Sequence, residues 1–536
     1  VDWNVDGLLT KFSKKEAYDL KAVTLTPEEV EKFYAGFANE IIWPLFHDLP
    51  SLCHFKPDYW EMYQRVNRKF AQSAADEAAG SEDFIWIQDY HLMLVAQYLR
   101  ELNISSKLAF FLHIPFPSPE VFEKLPWREP VLKALLNFDL LGFQTERDRG
   151  NFLNCVTRFL SEVQAETVAQ QNLLVRVDGR RVLAGAFPIS IDYDEFAGAA
   201  AEPEVAARAA AIRGELMENT LVLGVDRMDY TKGIPERLQA FRILLERFPE
   251  LRRQITLVQI VVPSRSEIPD YQDLRQEVEL LVSQVNGQFT QPGWVPIHYM
   301  YRSVQRQELL AYYRAADVAL ITPLKDGMNL VAKEFCAAQA DKRGVLILSE
   351  FAGASSELRH GALLVNPNDF VGVAQAIHEA CSMSAEEKRN RMRLLREIVK
   401  NHNVQRWARA FLAAADSISS ETVARARQGT QGSGDPREPG TPGVALVARA
   451  ASSPFVKRSG ASRVQPALIP GRRKTRPLFL WMIGIHSYSP LDKPSQEWHS
   501  YLLFHFRFRY HSGQIRAGHK KGERFANPGV LSRQVF

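Results

Sequence analysis

The chain has 536 residues, of which 46% are hydrophobic and 24% are charged. This length exceeds one ordinary hydrophobic core, so the composition predicts a globular enzyme with two or more domains. The net charge is only +4, and most of the positive excess lies in the last hundred or so residues. The remainder therefore carries no broad basic field for nucleic acid, and no apolar run is long enough to predict a membrane span.

The four cysteines are scattered through the chain, with no CxxC pair and no spacing typical of metal ligands: Cys53, Cys155, Cys336 and Cys381. This pattern indicates a reducing compartment and argues against structural zinc. We expect a cytoplasmic protein with no metal and no cofactor. No secretory signal is visible, and the chain begins at Val1 without an initiator methionine, which leaves room for residues before it.

The first part of the chain alternates helices with short apolar strands. The stretch Val1–Lys32 is charged and is predicted to be mostly helical, and Thr26 followed by Pro27 marks a helix start within it. The helix from Pro27 carries Tyr34 and leads to Trp43. Strands are predicted at Phe84–Ile87, Lys107–Leu112 and Asp139–Phe143. Polar residues follow each strand, and this alternation predicts a parallel, doubly wound α/β sheet.

A second series of strands follows the alanine-rich stretch Asp192–Glu218, which is predicted to be a surface helix and a connection. Its strands are predicted at Leu221–Val225, Ile255–Val262, Val318–Thr322 and Val345–Leu348. Both halves place polar clusters at the ends of their strands. Two such halves of similar size imply a cleft between two domains, which is a favoured place for a small-molecule site.

The stretch LITPLKDGMNLVAKEFCA, residues 320–337, is the strongest candidate for a site. An apolar strand leads through the loop Pro323–Asn329 into a helix, so the free N–H groups of the helix start face the crevice beyond the sheet. Such a turn can hold a phosphate or diphosphate. Glu334, one turn into this helix, could accept hydrogen bonds from a ribose. The alternative is an ordinary strand–helix unit in which Lys333 and Glu334 are solvated.

Three basic residues of the second half lie at strand ends: Arg227, Lys232 and Arg265. Cations there can neutralise phosphates, and arginine can do so through two parallel hydrogen bonds. The alternative is that each pairs with a neighbouring acid, such as Asp226, Asp229 or Glu267. Together with the helix start, these positions indicate an enzyme that handles a phosphorylated nucleotide or sugar between two domains.

Five ordered stretches carry a resemblance to a known family: Trp86–His91, Phe111–Pro117, Leu141–Thr145, Asp226–Gly233 and Asp326–Glu334. They resemble the trehalose-6-phosphate synthases of glycosyltransferase family 20, and the resemblance runs from about residue 26 to about residue 413. It implies a retaining hexosyltransferase that joins UDP-glucose to glucose 6-phosphate in trehalose biosynthesis. It also implies the α/β GT-B fold, in which two Rossmann-like domains face each other across a cleft.

The resemblance gives the expected boundaries of the domains. Residues 1–190 would bind the acceptor and residues 191–400 the nucleotide sugar, and a helix at 401–424 containing Trp407 would cross back to the first domain. Residues 425–536 form a basic tail containing Gly, Pro and Ser, for which we predict no folded domain. The tail lacks the DxDGT-type motif of a fused phosphatase.

The resemblance also assigns roles. Glucose 6-phosphate would be bound by Tyr34, Trp43, Asp89 and Arg265. UDP-glucose would be bound by Arg227, Lys232, Val304, Asp326, Gly327, Met328, Asn329, Leu330, Val331, Ala332, Lys333 and Glu334. The catalytic set would be Arg227, Lys232, Asp89 and His113. Read without the resemblance, the two aromatic residues fit a helix core, the aspartate fits a helix cap, and the histidine fits a buried, hydrogen-bonded site.

The implied mechanism uses charge more than a protein nucleophile. Departure of UDP leaves negative charge that the basic residues and the helix start would stabilise, while the departing phosphate accepts the proton of the attacking hydroxyl. Relatives begin with a strand that carries an arginine for the acceptor phosphate and with a Gly-Gly loop, and Val1 follows both. We therefore expect weak or no synthase activity from this polypeptide.

Two other functions stay open at this point. A related transferase could use another phosphorylated acceptor such as glycerol 3-phosphate. The chain could also be an inactive or regulatory subunit of a trehalose-synthesising complex. A homo-oligomer or a trehalose-phosphate phosphatase partner is also left open, whereas neither a nucleic-acid nor a membrane partner is expected.

Overall fold

The computed structural model describes residues 18–78, 80, 83–161, 163–167, 173–177, 179–217, 219–265, 268–429, 477–481 and 502–508. The strands are β1 Tyr18–Thr24, β2 Phe84–Gln88, β3 Lys107–Phe111, β4 Leu140–Phe143, β5 Gln164–Thr167, β6 Leu173–Val177, β7 Arg180–Ala186, β8 Thr220–Arg227, β9 Ile255–Val262, β10 Ile297–Tyr301, β11 Val318–Ile321, β12 Val345–Ser349, β13 Leu363–Val365, β14 Pro477–Trp481 and β15 Leu502–Phe508.

The α-helices are Pro27–Glu29, Trp43–Phe46, Pro57–Glu77, Val95–Glu101, Pro119–Phe122, Arg128–Leu135, Glu146–Phe159, Tyr193–Ala201, Pro203–Glu215, Ile234–Arg247, Pro269–Phe289, Arg306–Ala315, Leu330–Ala338, Ser355–Leu358, Phe370–Ser382, Ala385–Asn401 and Val404–Gly429. The segment Val30–Ile42 joins the first two as a π-helix. Long π-helical stretches are rare and occur mostly at functional sites. This one carries Tyr34.

The first sheet has the strand order β1-β15-β14-β2-β3-β4-β7-β6-β5. Strands β14, β2, β3, β4 and β7 pair in parallel, and the two edges pair antiparallel. Parallel strands bring their carboxyl ends to one edge, so Asp89 after β2 and His113 after β3 are neighbours there. The main-chain N–H of Asp89 donates to the carbonyl of Phe111 at 2.8 Å, which fixes the two strand ends against each other.

The second sheet is parallel throughout, with the order β10-β9-β8-β11-β12-β13. From β8 the chain adds β9 and β10 on one side, and from β11 it adds β12 and β13 on the other side. The crevice beyond β8 and β11 is therefore a topological switch point. Open α/β sheets bind ligands at such a crevice. The predicted α/β class and the two Rossmann-like sheets are therefore observed.

The sequence prediction for Val1–Lys32 is wrong in its described part, because Tyr18–Thr24 is a strand. Asp19 and Lys21 alternate with Leu20 and Ala22 there, and a period of two favours a strand over a helix. Residues 1–17 lie outside the described part. The next element was predicted correctly: Thr26 and Glu29 form a reciprocal capping box at the start of the following helix.

The helix Val404–Gly429 begins on the second half of the chain and packs its aromatic residues against the first sheet. The rings of Phe411 and Trp86 stack with centroids 4.2 Å apart, and Trp407 meets Phe111 edge-on at 5.2 Å. A Cβ at Gly142 would lie 2.6 Å from the Phe411 ring, so only glycine fits under it. The crossing helix expected of the GT-B fold is therefore present.

The described part of the basic tail consists of residues 425–429, which end the helix Val404–Gly429, and of two strands. Strand β14 pairs in parallel with β2, and β15 joins β14 to β1 in antiparallel pairing. The other residues after 429 lie outside the described part, so the expectation of an unfolded tail stays a prediction for them.

No helix among the described residues is long and apolar enough to cross a membrane. In the same ranges, all four cysteines are free thiols and no group of three or more His, Cys, Asp and Glu residues has an arrangement that could hold a metal ion.

Candidate active site

Strand β8 ends at Arg227, and the loop after it carries Lys232. Its turn begins at Asp229, whose carboxylate accepts the N–H of Thr231 at 3.0 Å, and it ends at Gly233 with a φ of +64°. A Cβ at Gly233 would lie 2.3 Å from the carbonyl oxygen of Thr322, so this position requires glycine both for its backbone angle and for space. The loops after β8 and β11 are thereby held in direct contact.

The loop after β11 ends at a capped helix start. Asn329 adopts a left-handed backbone angle, φ +73°, and its side-chain oxygen accepts the N–H of Ala332 at 3.1 Å. Asp326 accepts the N–H of Met328 at 3.3 Å and the side-chain amide of Asn329 at 3.2 Å. These bonds fix the first turn of Leu330–Ala338 at the switch point, where its N–H groups can serve an anion.

Lys232 joins the two loops through a salt bridge. Its ammonium donates to the carboxylate of Asp326 at 2.7 Å, and both side chains are only 13% exposed. Lys232 thus pairs with an acid distant in sequence and not with one of the neighbouring acids that the alternative named, whereas Arg265 does lie 3.5 Å from one of those, Asp229. An ammonium has three N–H donors, so pairing with Asp326 leaves it able to bind a second anion.

The three predicted basic residues converge on one buried carboxylate. Arg265 lies 3.5 Å from Asp229, which is fully buried. Burial by itself would raise the pKa of Asp229, but the positive charges of Arg265, Arg227 and Lys232 together lower it below its usual value. Two carboxylates, Asp229 and Asp326, face three cations, so the cluster keeps an excess of one positive charge at the switch point.

Arg265 and Arg227 also reach the first domain. The guanidinium of Arg265 lies 4.2 Å and that of Arg227 5.7 Å from the ring centroid of Trp43. The indole N–H of Trp43 is buried and has no hydrogen-bond partner among the described residues. Tyr34 stacks on His91 with ring centroids 5.8 Å apart. Aromatic faces with polar edges suit a sugar ring, which agrees with the role that the resemblance gives to Trp43 and Tyr34.

Asp89 and His113 meet at the carboxyl ends of β2 and β3. The carboxylate of Asp89 accepts the main-chain N–H of His113 at 3.2 Å, and the imidazole Nε2 of His113 lies 2.9 Å from the amide oxygen of Gln88. Burial raises the pKa of Asp89 to about 7 and lowers that of His113 to about 3. At neutral pH the imidazole is therefore uncharged, and Asp89 can exchange a proton.

Three predicted site residues hold backbone angles that side chains disfavour. The φ angles are +71° at Asp89, +48° at Arg265 and +73° at Asn329. Left-handed angles at non-glycine residues cost on the order of 1 kcal/mol each and cluster at functional sites. Five other non-glycine residues of the described ranges also have positive φ angles, so these angles describe the loops and do not by themselves mark the site.

Glu334 and Lys333 are both buried, so the alternative that they are solvated is wrong. The carboxylate of Glu334 accepts the hydroxyl of Tyr313 at 2.9 Å, and burial raises its pKa to about 7. Lys333 turns away to the carbonyl of Ile189 at 2.8 Å and to Glu357 at 2.6 Å. Its ammonium therefore joins the two domains rather than facing the switch point.

The remaining residues predicted to bind UDP-glucose have apolar side chains or are glycine, so backbone groups are the polar groups that they can offer. Met328, Leu330 and Ala332 are buried. Val331 and Val304 are half-buried and pack against the apolar core. Gly327 lies so close to the first domain that a Cβ would sit 2.2 Å from the carbonyl oxygen of His113. All of these roles stay predictions.

Sequence reasoning missed the polar network beneath Arg265. Its guanidinium donates to the hydroxyls of Tyr271 at 2.5 Å and Tyr90 at 3.3 Å. The Tyr90 hydroxyl donates in turn to Asn39 at 2.9 Å, and the Asn39 amide donates to the carbonyl of Tyr34 at 2.7 Å. Asn39 lies five residues after Tyr34 in a helical stretch, and no spacing rule for ordinary helices would have linked them.

A family model described as "Glycosyltransferase family 20" matches residues 8–417. The chain belongs to glycosyltransferase family 20. It is 44% identical over 400 residues to a trehalose-6-phosphate synthase of Mycobacterium avium, covering 74% of this chain and 81% of that protein. It is also 44% identical over 404 residues to a bifunctional trehalose-6-phosphate synthase/phosphatase of Thermoproteus tenax, covering 75% of this chain but only 54% of that protein.

Solved structures of family 20 members share the fold. An α,α-trehalose-phosphate synthase (UDP-forming) from Burkholderia xenovorans, in complex with glucose 6-phosphate, matches with a TM-score of 0.70 and 36% identity, over 74% of this chain and 90% of that one. A structure from E. coli bound with UDP-2-fluoro glucose matches with a TM-score of 0.70 and 37% identity, over 75% and 90%. The family 20 fold predicted from the sequence, GT-B, is confirmed.

Proposed function

We propose that this chain binds UDP-glucose and glucose 6-phosphate and transfers glucose between them with retention, giving α,α-trehalose 6-phosphate and UDP. The observation that carries the proposal is that Arg227 and Arg265 share the face of Trp43, and Lys232 bridges to Asp326, beside a helix start at the switch point of the second sheet. The relatives named above, one holding glucose 6-phosphate and one a UDP-sugar analogue, support this assignment of substrates.

The cluster suits the departure of a nucleoside diphosphate. Breaking the bond between the anomeric carbon and the diphosphate puts negative charge on the leaving UDP. Arg227 and Lys232 are held beside that position before the reaction begins, so they stabilise the charge where it develops. The uncharged His113 and the half-buried Asp89 lie at the carboxyl ends of β3 and β2, where they can orient hydroxyl groups of the sugars.

The proposed acceptor site has one part that suits a phosphate and another that suits a sugar ring. Arg265 provides a planar guanidinium that can bind two phosphate oxygens, while Trp43 and Tyr34 offer apolar faces to the ring. Glycerol 3-phosphate would satisfy Arg265 but would leave both aromatic faces uncovered. The arrangement therefore favours a hexose phosphate over a smaller acceptor.

Calorimetric titration with UDP, followed by glucose 6-phosphate in the presence of UDP, tests this function. We expect both to bind, and glycerol 3-phosphate to bind more weakly than glucose 6-phosphate. Transfer is then measured as UDP release from UDP-glucose. Failure to bind UDP would contradict the proposal, and equal use of glycerol 3-phosphate would contradict the assigned acceptor.

A further inference from the structure

Arg237 is the largest of the fully buried side chains among the described residues. It lies in the first turn of Ile234–Arg247, directly after the loop that carries Lys232, and no resemblance assigned it a role. A buried arginine is rare because the removal of its charge from water costs several kcal/mol. Its contacts therefore call for an explanation.

Each hydrogen-bonding edge of the Arg237 guanidinium has a partner. Nη1 donates to the carboxylate of Asp226 and to the amide oxygen of Gln259 at 3.0 Å. Nε donates to the hydroxyl of Thr322 at 3.1 Å, and Nη2 donates to the main-chain carbonyl of Lys232 at 3.3 Å. The guanidinium thus joins the end of β8, the middle of β9, the end of β11 and the loop after β8.

The space for this group is closely matched. A Cβ at Gly224 in β8 would lie 2.3 Å from the Gln259 amide oxygen and 2.7 Å from Nη1 of Arg237. The strand therefore needs glycine at this point to let the guanidinium and the amide lie against its backbone. Stability alone does not account for the arrangement, because buried ion pairs are often no more stabilising than apolar residues of the same volume.

We propose that Arg237 is a positioning residue for the diphosphate site: it holds the carbonyl of Lys232 and the hydroxyl of Thr322 so that the two loops at the switch point keep one geometry. Arg237 lies in the protein interior and cannot contact a bound nucleotide, so it acts through Lys232. The inference rests on the proposed function, since it concerns the site assigned there to the diphosphate of UDP-glucose.

The contacts give a clear chain of action. Arg237 fixes the Lys232 backbone, the Thr231 carbonyl accepts the N–H of Leu324 at 2.8 Å, and the Lys232 ammonium reaches Asp326. Loss of the guanidinium would free the backbone of Lys232. The residues around Glu334, which are assigned to the nucleoside, would stay in place. The effect should therefore depend on the diphosphate and not on the nucleoside.

The test compares UDP and uridine as calorimetric ligands for the wild type and for Arg237→Lys. Lysine keeps the charge that Asp226 needs but cannot hold four partners in one plane. We expect UDP to bind about tenfold more weakly, which corresponds to the loss of one or two hydrogen bonds of a charged group, and uridine to bind within about twofold of wild type. Thr322→Val removes one of the same bonds at nearly constant volume and should weaken UDP binding in the same selective way.

Arg213→Lys is the matched control. Arg213 also pairs with a carboxylate, Asp317 at 2.8 Å, and with a main-chain carbonyl, that of Ala315 at 3.0 Å, but at the opposite end of the second sheet. It should leave UDP binding unchanged. The inference is overturned if Arg237→Lys and Thr322→Val bind UDP with wild-type affinity, or if their affinities for UDP and for uridine fall by the same factor. A wild type that binds no UDP would instead overturn the proposed function and, with it, this inference.

Discussion

The guanidinium of Arg265 lies over the ring of Trp43 at 4.2 Å, and this contact joins the second domain to the first. The same guanidinium is 3.5 Å from Asp229 and touches the hydroxyls of Tyr90 and Tyr271. A charge held between a carboxylate on one side and an aromatic face on the other is fixed in direction. Arg265 is thereby prepared to bind a phosphate carried by a sugar that lies on Trp43.

Arg265→Lys should weaken binding of glucose 6-phosphate and leave binding of glucose unchanged. Lysine keeps the positive charge beside Asp229 but loses the planar fork and the stacking on Trp43, so we expect a ten- to hundredfold loss of affinity, about 1.4 to 3 kcal/mol. Calorimetric titration with glucose 6-phosphate and with glucose, each in the presence of UDP, measures the two affinities.

The control is Arg275→Lys. Arg275 also stacks on an aromatic ring, that of Tyr301 at 4.2 Å, but its side chain is 48% exposed and pairs with Glu279 on the protein surface. It should have no effect on either sugar. If Arg265→Lys loses the same factor of affinity for glucose and for glucose 6-phosphate, the arginine maintains the shape of the cleft and does not bind the phosphate.

Lys232→Ala and Asp326→Asn should change UDP affinity in opposite directions. Alanine removes a cation from the diphosphate site, so UDP should bind about tenfold or more weakly. Asparagine removes a carboxylate that lies 2.7 Å from that cation, so UDP should bind more tightly. Titration with UDP at low and high salt measures both changes.

Lys133→Ala serves as the control for the loss of a lysine, because Lys133 pairs with Glu129 on an exposed helix face with 66% of its side chain accessible. If Asp326→Asn weakens UDP binding, the carboxylate orients Lys232 and does not compete with the nucleotide.

Gly327→Ala should hold the two domains apart. The added methyl group would lie 2.2 Å from the carbonyl oxygen of His113 and close to the backbone of Ile114, neither of which can move without moving the first domain. We expect a larger radius of gyration in small-angle X-ray scattering and weaker binding of both UDP-glucose and glucose 6-phosphate.

Gly287→Ala provides the comparison, because no atom lies within 4 Å of a Cβ at that position in the helix Pro269–Phe289. It should leave the scattering curve unchanged and stabilise the helix by up to about 1 kcal/mol. Identical scattering from the two variants would mean that the contact between Gly327 and His113 does not set the separation of the domains.

Glu334 should make the stability of the protein fall as the pH rises. Burial raises its pKa from 4.5 to about 7, so between these two values the folded state binds more protons than the unfolded chain. The free energy of unfolding therefore decreases from pH 4.5 to 7, by an amount on the order of 3 kcal/mol at most, and does not recover above pH 7. In Glu334→Gln this decrease in the free energy of unfolding should be absent.

The difference in Tm between Glu334→Gln and wild type should therefore become more positive from pH 5 to pH 8. Asp89 titrates in the same range in both proteins and cancels from the difference. Glu129→Gln, on the exposed face of Arg128–Leu135, controls for the chemical change itself. A Tm difference that stays constant with pH would contradict the prediction.

The sequence determined the fold class and the approximate location of the site. Strands with polar ends recur at regular intervals, and glycine or asparagine stands where the backbone must turn left-handed, as at Gly233 and Asn329. These are local requirements, and each is written in consecutive residues. The strand Tyr18–Thr24 was missed because its alternation is short and lies within a charged stretch.

Only the tertiary structure decided which charges meet. Lys232 pairs with Asp326, 94 positions along the chain, and Arg265 lies over Trp43 from the other domain. It also decided that Lys333 turns to the boundary between domains and that Arg237 lies beneath the loop of Lys232. The strength and direction of a charge depend on burial and on partners brought together by the packing of two sheets, and no local spacing in the sequence encodes either.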